Sequence, residues 1–229
     1  MIPTVILILV ILLALIIYFT MNTPIGTKQR TKYLETMAHL FESKLEPVLG
    51  ADNSYRITFN YRGYECAYEE IEVQTSKAIS HCGFLKARVP SRLSLSFTER
   101  ARTQIRSNVQ SLEDVATSMW GTSAEKVSLP KNLQDFHVYT NSATIANKLL
   151  KDEKVIKIFT AYRNQDSRGH PVMSLEIVDG VISLEFHAPG ELKPSIIDLQ
   201  HNVTAAETYL QELLVIAEVL KTVEKEVTN

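Results

Sequence analysis

The sequence contains few of the residues on which metal and cofactor sites are commonly built. Only two cysteines and eight glycines occur in 229 residues. There is no Cys-x-x-Cys pair, no glycine-rich phosphate-binding loop, and no His-Glu-x-x-His or Gly-x-Ser-x-Gly motif. These absences argue against thiolate metal centres, the common nucleotide-binding loops, zinc proteases and serine hydrolases. No catalytic residue, metal ligand or cofactor is therefore predicted from motifs.

The histidines are too irregularly spaced to form a metal site within one element. They stand at positions 39, 81, 137, 170, 187 and 201. His81 precedes Cys82, but neighbouring side chains of a strand point to opposite faces, which makes His81 a poor base for this thiol. An enzyme would need a site assembled from distant residues, for which the candidates are Cys82, His137, His187 and Asp198.

Neither sign of charge is in large excess over the whole chain. The 24 lysines and arginines are offset by 26 aspartates and glutamates, which gives a net charge of −2. Such a chain lacks the strong attraction for nucleic acid that a basic domain has, so nucleic acid is not an expected partner. With 45% hydrophobic and 22% charged residues, the composition is that of a globular protein and excludes disordered, collagen-like and disulfide-dense classes.

One stretch departs from this balance. Between Lys86 and Arg106, six basic residues stand against Glu99 alone, an excess of +5. The six are Lys86, Arg88, Arg92, Arg100, Arg102 and Arg106. Because arginine binds phosphates and carboxylates through two parallel hydrogen bonds, the stretch is a candidate contact for lipid headgroups or an acidic protein. A solvated face, or pairing with acidic residues such as the glutamates of residues 65–72, is the favoured interpretation of the stretch, and nucleic acid is the least favoured.

The first 27 residues contain no charged side chain. Residues 2–21 read IPTVILILVILLALIIYFTM and are predicted to form a transmembrane helix, since about twenty helical residues span the roughly 30 Å hydrocarbon layer. A cleaved signal peptide would have a basic start, a shorter apolar stretch and a small-x-small cleavage site, and none of these is present. Basic residues follow the apolar run at Lys28, Arg30 and Lys32, so the positive-inside rule places the carboxy-terminal domain in the cytoplasm and the amino terminus outside.

The chain divides into three predicted parts. Residues 1–27 form the anchor and a short break at Pro24 and Gly26. Residues 28–49 are predicted as an amphipathic juxtamembrane helix, and residues 50–229 as a soluble α+β domain. The helix has an apolar face of Tyr33, Met37, Phe41 and Leu45. This face is expected to pack on its own domain, with the lipid headgroups or a second chain as alternatives.

Residues 55–73 are predicted to form a β-hairpin that turns at Arg62 and Gly63. A two-residue loop is favoured, because it places one set of apolar residues on the same face. That set is Ile57, Phe59, Tyr61, Tyr64, Cys66 and Tyr68. The alternative register sets Asn60 opposite Tyr64. A change of phase at residues 69–70 predicts a β-bulge there.

A second hairpin is predicted over residues 173–186, where Asp179 and Gly180 form a type I′ turn. It places Met173 and Leu175 on one face with the apolar residues of the second strand. Further strands are predicted at 93–98, which is expected to be half-buried, and at 136–139.

Helices are predicted from apolar spacing and from capping residues. One follows Glu99, one is capped by Asn141 or Ser142, and one is capped by Asp152, although residues 155–160 also fit a strand. The last helix is predicted to open at a capping box over residues 204–207. Strand pairs and helices arrive in mixed order without βαβ alternation, which favours the α+β class: an N-terminal transmembrane helix followed by a domain of antiparallel hairpins and helices.

These patterns favour a single-pass membrane protein whose cytoplasmic domain binds a protein partner or organises an assembly. Two alternatives remain from the sequence. One is an enzyme at the membrane surface with a site built from distant residues, and the other is a domain that binds anionic lipid through the stretch 86–106. The patterns do not identify the partner.

Overall fold

The computed structural model describes residues 27–51, 53–74, 79–99, 127–161, 172–187 and 199–228. Within these ranges, no helix combines the length and apolar character that crossing a bilayer requires. The apolar stretch 2–21 and the helix expected after Glu99 lie outside the described residues, so both stay predictions.

The described strands form one antiparallel sheet, which confirms the α+β prediction. Its order is β1-β2-β3-β4-β8-β7-β5-β6. The strands are β1 (Leu45–Pro47), β2 (Tyr55–Tyr61), β3 (Tyr64–Gln74), β4 (Ile79–Arg88), β5 (Leu95–Glu99), β6 (Phe136–Thr140), β7 (Val172–Val178) and β8 (Val181–His187).

Four helices of the described chain pack against one face of this sheet. They are α1 (Thr27–Leu40), α2 (Ala143–Lys151), α3 (Glu153–Ala161) and α4 (Leu199–Thr228). Tyr209 of α4 stacks on Phe186 of β8 with ring centroids 4.4 Å apart, and Phe159 of α3 meets Phe97 of β5 edge-on at 4.9 Å. Buried residues of all four helices belong to one hydrophobic cluster with the sheet.

The β2–β3 hairpin has the two-residue loop that was favoured from the sequence. Tyr61 pairs with Tyr64, and Arg62 and Gly63 have φ angles of +49° and +81°. Ile57 consequently lies opposite Tyr68 on the core face. The predicted bulge at residues 69–70 is wrong, because the register runs unbroken through this part of β3.

The β7–β8 hairpin turns at Asp179 and Gly180 as predicted, with Val178 paired to Val181. A shift in register between Val172 and Ser174 corrects one detail of the predicted face. Val172, rather than Met173, lies opposite Phe186 and joins the core cluster.

The predicted juxtamembrane helix over 28–49 is too long. Helix α1 ends at Leu40, and Glu42 has a left-handed φ of +50° that is incompatible with a continuing helix. Residues 45–47 then pair with β2 as an edge strand. Tyr33 and Met37 are buried in the common core, so α1 packs on its own sheet.

The helices that follow β6 agree with their predicted caps. The Ser142 hydroxyl accepts the backbone N–H of Ile145 at the start of α2. The Asp152 carboxylate accepts the N–H of Lys154 at 2.8 Å, and residues 153–161 are helix rather than strand. Helix α4, however, begins at Leu199, upstream of the predicted capping box, and carries the predicted apolar stripe into the core.

Strand β4 lies in the middle of the sheet and was not predicted. Its sequence, ISHCGFLKAR, mixes polar residues and a glycine, and so lacks the alternation of a recognisable strand. Gly83 is needed where it stands, because a Cβ atom there would lie 2.5 Å from Cε2 of Phe186. The missing side chain leaves room for the ring that stacks on Tyr209.

Replacement of Gly83 by alanine should therefore destabilise the protein. The Phe186 ring is buried and must shift away from Tyr209, at a cost of about 1–3 kcal/mol for an overpacked core. Chemical denaturation of the purified chain measures this loss. The double variant G83A/F186L should recover part of it, and an unchanged midpoint for G83A would contradict the proposed close packing.

Replacement of Gly180 by alanine should cost more stability than the same change at Gly63. Both glycines have positive φ, which costs an alanine about 1–2 kcal/mol. A Cβ at Gly180 would also lie 3.0 Å from the carbonyl oxygen of Val89, whereas nothing lies within 4 Å at Gly63. Thermal unfolding of the two variants provides the comparison, and equal losses would argue against the contact with Val89.

Candidate interaction site

Two of the described residues of the basic stretch, Lys86 and Arg88, form ion pairs within the sheet. Lys86 Nζ lies 2.5 Å from Glu69 Oε2, and Arg88 Nε lies 3.2 Å from Glu65 Oε2. Arg92 is exposed in the loop after β4. Arg100, Arg102 and Arg106 lie outside the described residues. For Lys86 and Arg88 the structure thus contains the internal pairing that the sequence favoured, and an anionic ligand for the stretch stays a prediction.

Strand β3 carries a row of glutamates, each beside a cationic or protonatable side chain. Glu69, with a side chain only 4% exposed, lies between Lys86 and Arg56, whose Nη2 is 2.6 Å away. The Glu72 carboxylate lies 3.6 Å from the His81 imidazole. This pairing compensates the negative charge of β3.

The sheet face opposite the helices is polar, and much of it is buried. Ser174 donates a hydrogen bond to Glu185 at 2.8 Å, and both residues are 1% exposed. Ser96 and Thr98 of β5 are also buried, with hydroxyl oxygens 3.4 Å apart. The expectation that β5 is half-buried is wrong, because side chains on both of its faces are buried.

The residues considered for a dispersed enzyme site are only partly brought together. Cys82 of β4 is the register partner of His187 in β8 and is 1% exposed. His137 lies on β6, four strand spacings from β4 and hence about 19 Å away across the sheet. Asp198 lies outside the described residues. No cluster of three metal-binding side chains occurs in the described part of the chain.

A buried ion pair holds α1 on the sheet. The Arg30 guanidinium donates to Glu70, whose second carboxylate oxygen accepts the Tyr68 hydroxyl at 3.0 Å. The side chains of Arg30 and Glu70 are 7% and 1% exposed. Burial, with the nearby Glu70 carboxylate, raises the pKa of Tyr68 and of Tyr33 well above the usual range. A charged residue at this core-facing position suggested a bulge from the sequence. Glu70 lies there without a bulge, because Arg30 compensates its charge.

A recess of the described molecule, which we call the α4 groove, runs along the outer side of helix α4. Its volume is about 800 Å³. The apolar floor consists of Leu214, Val215, Val219 and Val223 from α4. The remaining lining comes from the β2–β3 turn, from α2 and α3, and from polar residues of α4: Arg62, Tyr64, Lys148, Lys151, Asp152, Lys154, Gln211, Glu218, Thr222 and Glu226.

A hydrogen-bonded cluster joins α4 to the β2–β3 turn beside this groove. The Tyr64 hydroxyl donates to Glu218 and accepts from Lys221 Nζ at 2.6 Å. The Lys221 ammonium also lies 4.3 Å from the centre of the Tyr64 ring, within cation–π range. The cluster fixes one wall of the groove.

The carboxy-terminal end of α4 is tied to the loop between β4 and β5. Glu224 Oε1 accepts the Ser91 hydroxyl at 2.7 Å and the backbone N–H groups of Arg92 and Leu93 at 3.0 and 3.2 Å. These contacts, together with the stacking of Tyr209 on Phe186, seat α4 at both ends of its buried stripe.

Sequence reasoning missed the lysines of the groove. Lys148, Lys151 and Lys154 recur at three-residue spacing, and this is the local signal that was present. Their position opposite α4 arises only on folding, because more than forty residues separate them from the start of that helix.

Comparisons of the chain with protein-family models, curated proteins and solved structures found no match. The interpretation of the groove therefore depends on its own geometry and charge.

Removal of one member of the Arg30–Glu70 pair should be strongly destabilising. R30M or E70M leaves the other charge buried without compensation, at a cost of about 3–5 kcal/mol. The double variant R30M/E70M should lose less than either single variant. Denaturant unfolding measures these losses, with R88M at an exposed ion pair as the control, for which about 1 kcal/mol or less is expected. Additive losses in the double variant would contradict coupling between the two groups.

Burial of Cys66 should make the fold sensitive to alkali. Desolvation raises the pKa of this thiol from 9.0 to about 11. The unfolded chain releases the thiol proton at a lower pH than the folded chain does. The contribution of the buried thiol to the free energy of unfolding is therefore complete below pH 9 and is lost as the pH rises to 11. Melting temperatures between pH 8 and 11 should fall more steeply for the natural chain than for C66A. Equal slopes of melting temperature against pH for the two chains would show that the thiol does not contribute to the sensitivity to alkali.

Proposed function

We propose that this chain is a membrane-tethered protein-binding module, whose partner docks in the α4 groove. The observation that carries the proposal is the groove itself, with an apolar floor on α4 and lysines and an arginine along its walls. Binding sites for other molecules are typically concave and mostly apolar, with a few polar groups that orient the ligand.

The titratable groups beside the groove favour binding over catalysis. Burial and the hydrogen bond with Glu218 raise the pKa of Tyr64. The hydrogen bond with Tyr64 raises the pKa of Lys221, and the same tyrosine lowers the pKa of Glu218. At neutral pH the cluster thus holds a neutral phenol, an ammonium and a carboxylate. General acid–base catalysis calls for a group whose pKa is close to the working pH. The pKa values of Tyr64, Lys221 and Glu218 are all shifted further from neutral pH.

The predicted tether would keep the groove close to the bilayer. Helix α1 begins at Thr27, six residues after the predicted membrane helix ends, and six residues reach at most about 20 Å. The buried pair of Arg30 and Glu70 holds α1 to the sheet. A partner in the groove would consequently be recruited to the membrane surface, which the positive-inside rule predicts to be the cytoplasmic one.

Photo-crosslinking from inside the groove tests this proposal. A photoreactive amino acid placed at Val215 of the full-length chain, in its native membranes, should give one reproducible adduct that mass spectrometry identifies. The same residue placed at Lys157, which is exposed on α3 and does not line the groove, serves as the control. A Val215 pattern that matches the Lys157 pattern, or the absence of any adduct, would overturn the proposal.

A further inference from the structure

We infer that the α4 groove accepts an acidic amphipathic segment of a protein partner, with apolar side chains on the floor and carboxylates on the rim. This inference rests on the proposed function of the groove and names the chemistry of the occupant. Charge complementarity and the distribution of apolar surface carry it.

The carboxylates that line the groove are already engaged. Glu226 pairs with Lys148 at 3.0 Å, and Glu218 is held by Tyr64 and by Lys221, whose Nζ is 3.5 Å away. Asp152 caps α3 through the N–H of Lys154. Each of the three carboxylates that line the groove thus has a partner among the residues that the structure describes.

Three cations of the same groove have no carboxylate partner within the described ranges. Lys151 and Lys154 are exposed at the junction of α2 and α3. Arg62 is exposed at the β2–β3 turn and contacts only an aromatic ring, with Cζ 5.3 Å from the centre of Tyr61. The recess therefore offers positive charge without internal compensation, which favours an anionic occupant.

The floor favours a protein segment over an anionic lipid or a nucleic acid. Val215 is 36% exposed and lies beside the nearly buried Leu214 and Val219, so apolar side chains gain by covering it. The phosphate groups of a lipid surface carry no apolar side chains that could cover this floor. Nucleic acid is disfavoured because bases stack on aromatic platforms, and Tyr64 is the sole aromatic residue of this lining.

The length of the groove sets the length of the occupant. Its α4 residues run from Gln211 to Glu226, a rise of about 22 Å along the helix. Four turns of a helix or about seven residues of an extended chain span this distance. A segment of this size with apolar residues on one side and Asp or Glu beside them matches the groove in both length and charge.

Fluorescence anisotropy on the full-length chain in lipid nanodiscs tests the inference. The probe is a labelled 15-residue amphipathic peptide with leucines at i, i+3, i+4 spacing and glutamates between them. Its controls are the same peptide with lysine for every glutamate, and the same peptide with serine for every leucine. The acidic apolar peptide should bind about tenfold more tightly than either control, and added salt should weaken it.

Charge-reversal variants locate the binding. K151E/K154E should weaken the acidic peptide by about fivefold to tenfold, since two favourable charge contacts become repulsive. K157E changes an exposed lysine of the same helix outside the groove and should bind as the natural chain does. All these residues are exposed, so the melting temperatures of the variants should match. Equal binding by K151E/K154E, or tighter binding of the lysine peptide, would overturn the inference.

Three further outcomes separate this inference from the proposed function. If nanodiscs rich in phosphatidylserine abolish peptide binding, while neutral nanodiscs allow it, the cations serve lipid headgroups and the inference is wrong. If the peptide fails but Val215 still crosslinks to one protein, the module stands and its occupant is of another chemistry. If Val215 gives no specific adduct either, both proposals fail.

Discussion

The contact between Phe186, Tyr209 and Gly83 sets the position of the longest helix on the sheet. A ring from β8 lies over the glycine of β4 and stacks on a ring from α4, with 4.4 Å between the two ring centroids. Any side chain at residue 83 would occupy the space of the Phe186 ring. Because protein interiors are close-packed, this one absent Cβ determines how closely α4 approaches the middle of the sheet. The position of the groove on the outer side of α4 depends on this packing of α4 against the sheet.

Charge is used differently at the two ends of the domain. Near the predicted membrane anchor, Arg30 and Glu70 are buried together beneath α1, where one charge is tolerable only because the other is present. On the polar face of the sheet, Glu69 is shared by Arg56 and Lys86. Around the groove, in contrast, Lys151 and Lys154 remain exposed at the helix junction. Two residues of the basic stretch that stood out in the sequence, Lys86 and Arg88, are thus paired within the sheet. The exposed lysines beside the groove lie elsewhere, at the junction of α2 and α3.

Local patterns predicted the local structure well wherever one interaction dominated. The Asp179–Gly180 turn was predictable because a type I′ turn needs positive φ at both positions, and the caps at Ser142 and Asp152 were predictable because a side-chain oxygen must accept an exposed N–H. Pattern reasoning failed at β4, because a glycine occupies a core-facing position of this strand and polar residues are mixed into its sequence. It also failed near Glu70, where a charged residue at a core position suggested a bulge, because the compensating arginine lies forty residues away in sequence.

The sequence by itself determined the class of fold, both hairpin turns, the register of the β2–β3 hairpin and the buried stripe of α4. Each of these depends on the periodicity of neighbouring residues or on the backbone angles that a turn demands. The tertiary structure alone decided which charges are paired, which strand is central and where the α4 groove lies. Ion pairs and recesses depend on distances between residues that are far apart along the chain, as Tyr64 and Lys221 are. No local pattern encodes such distances, because only packing brings those residues together.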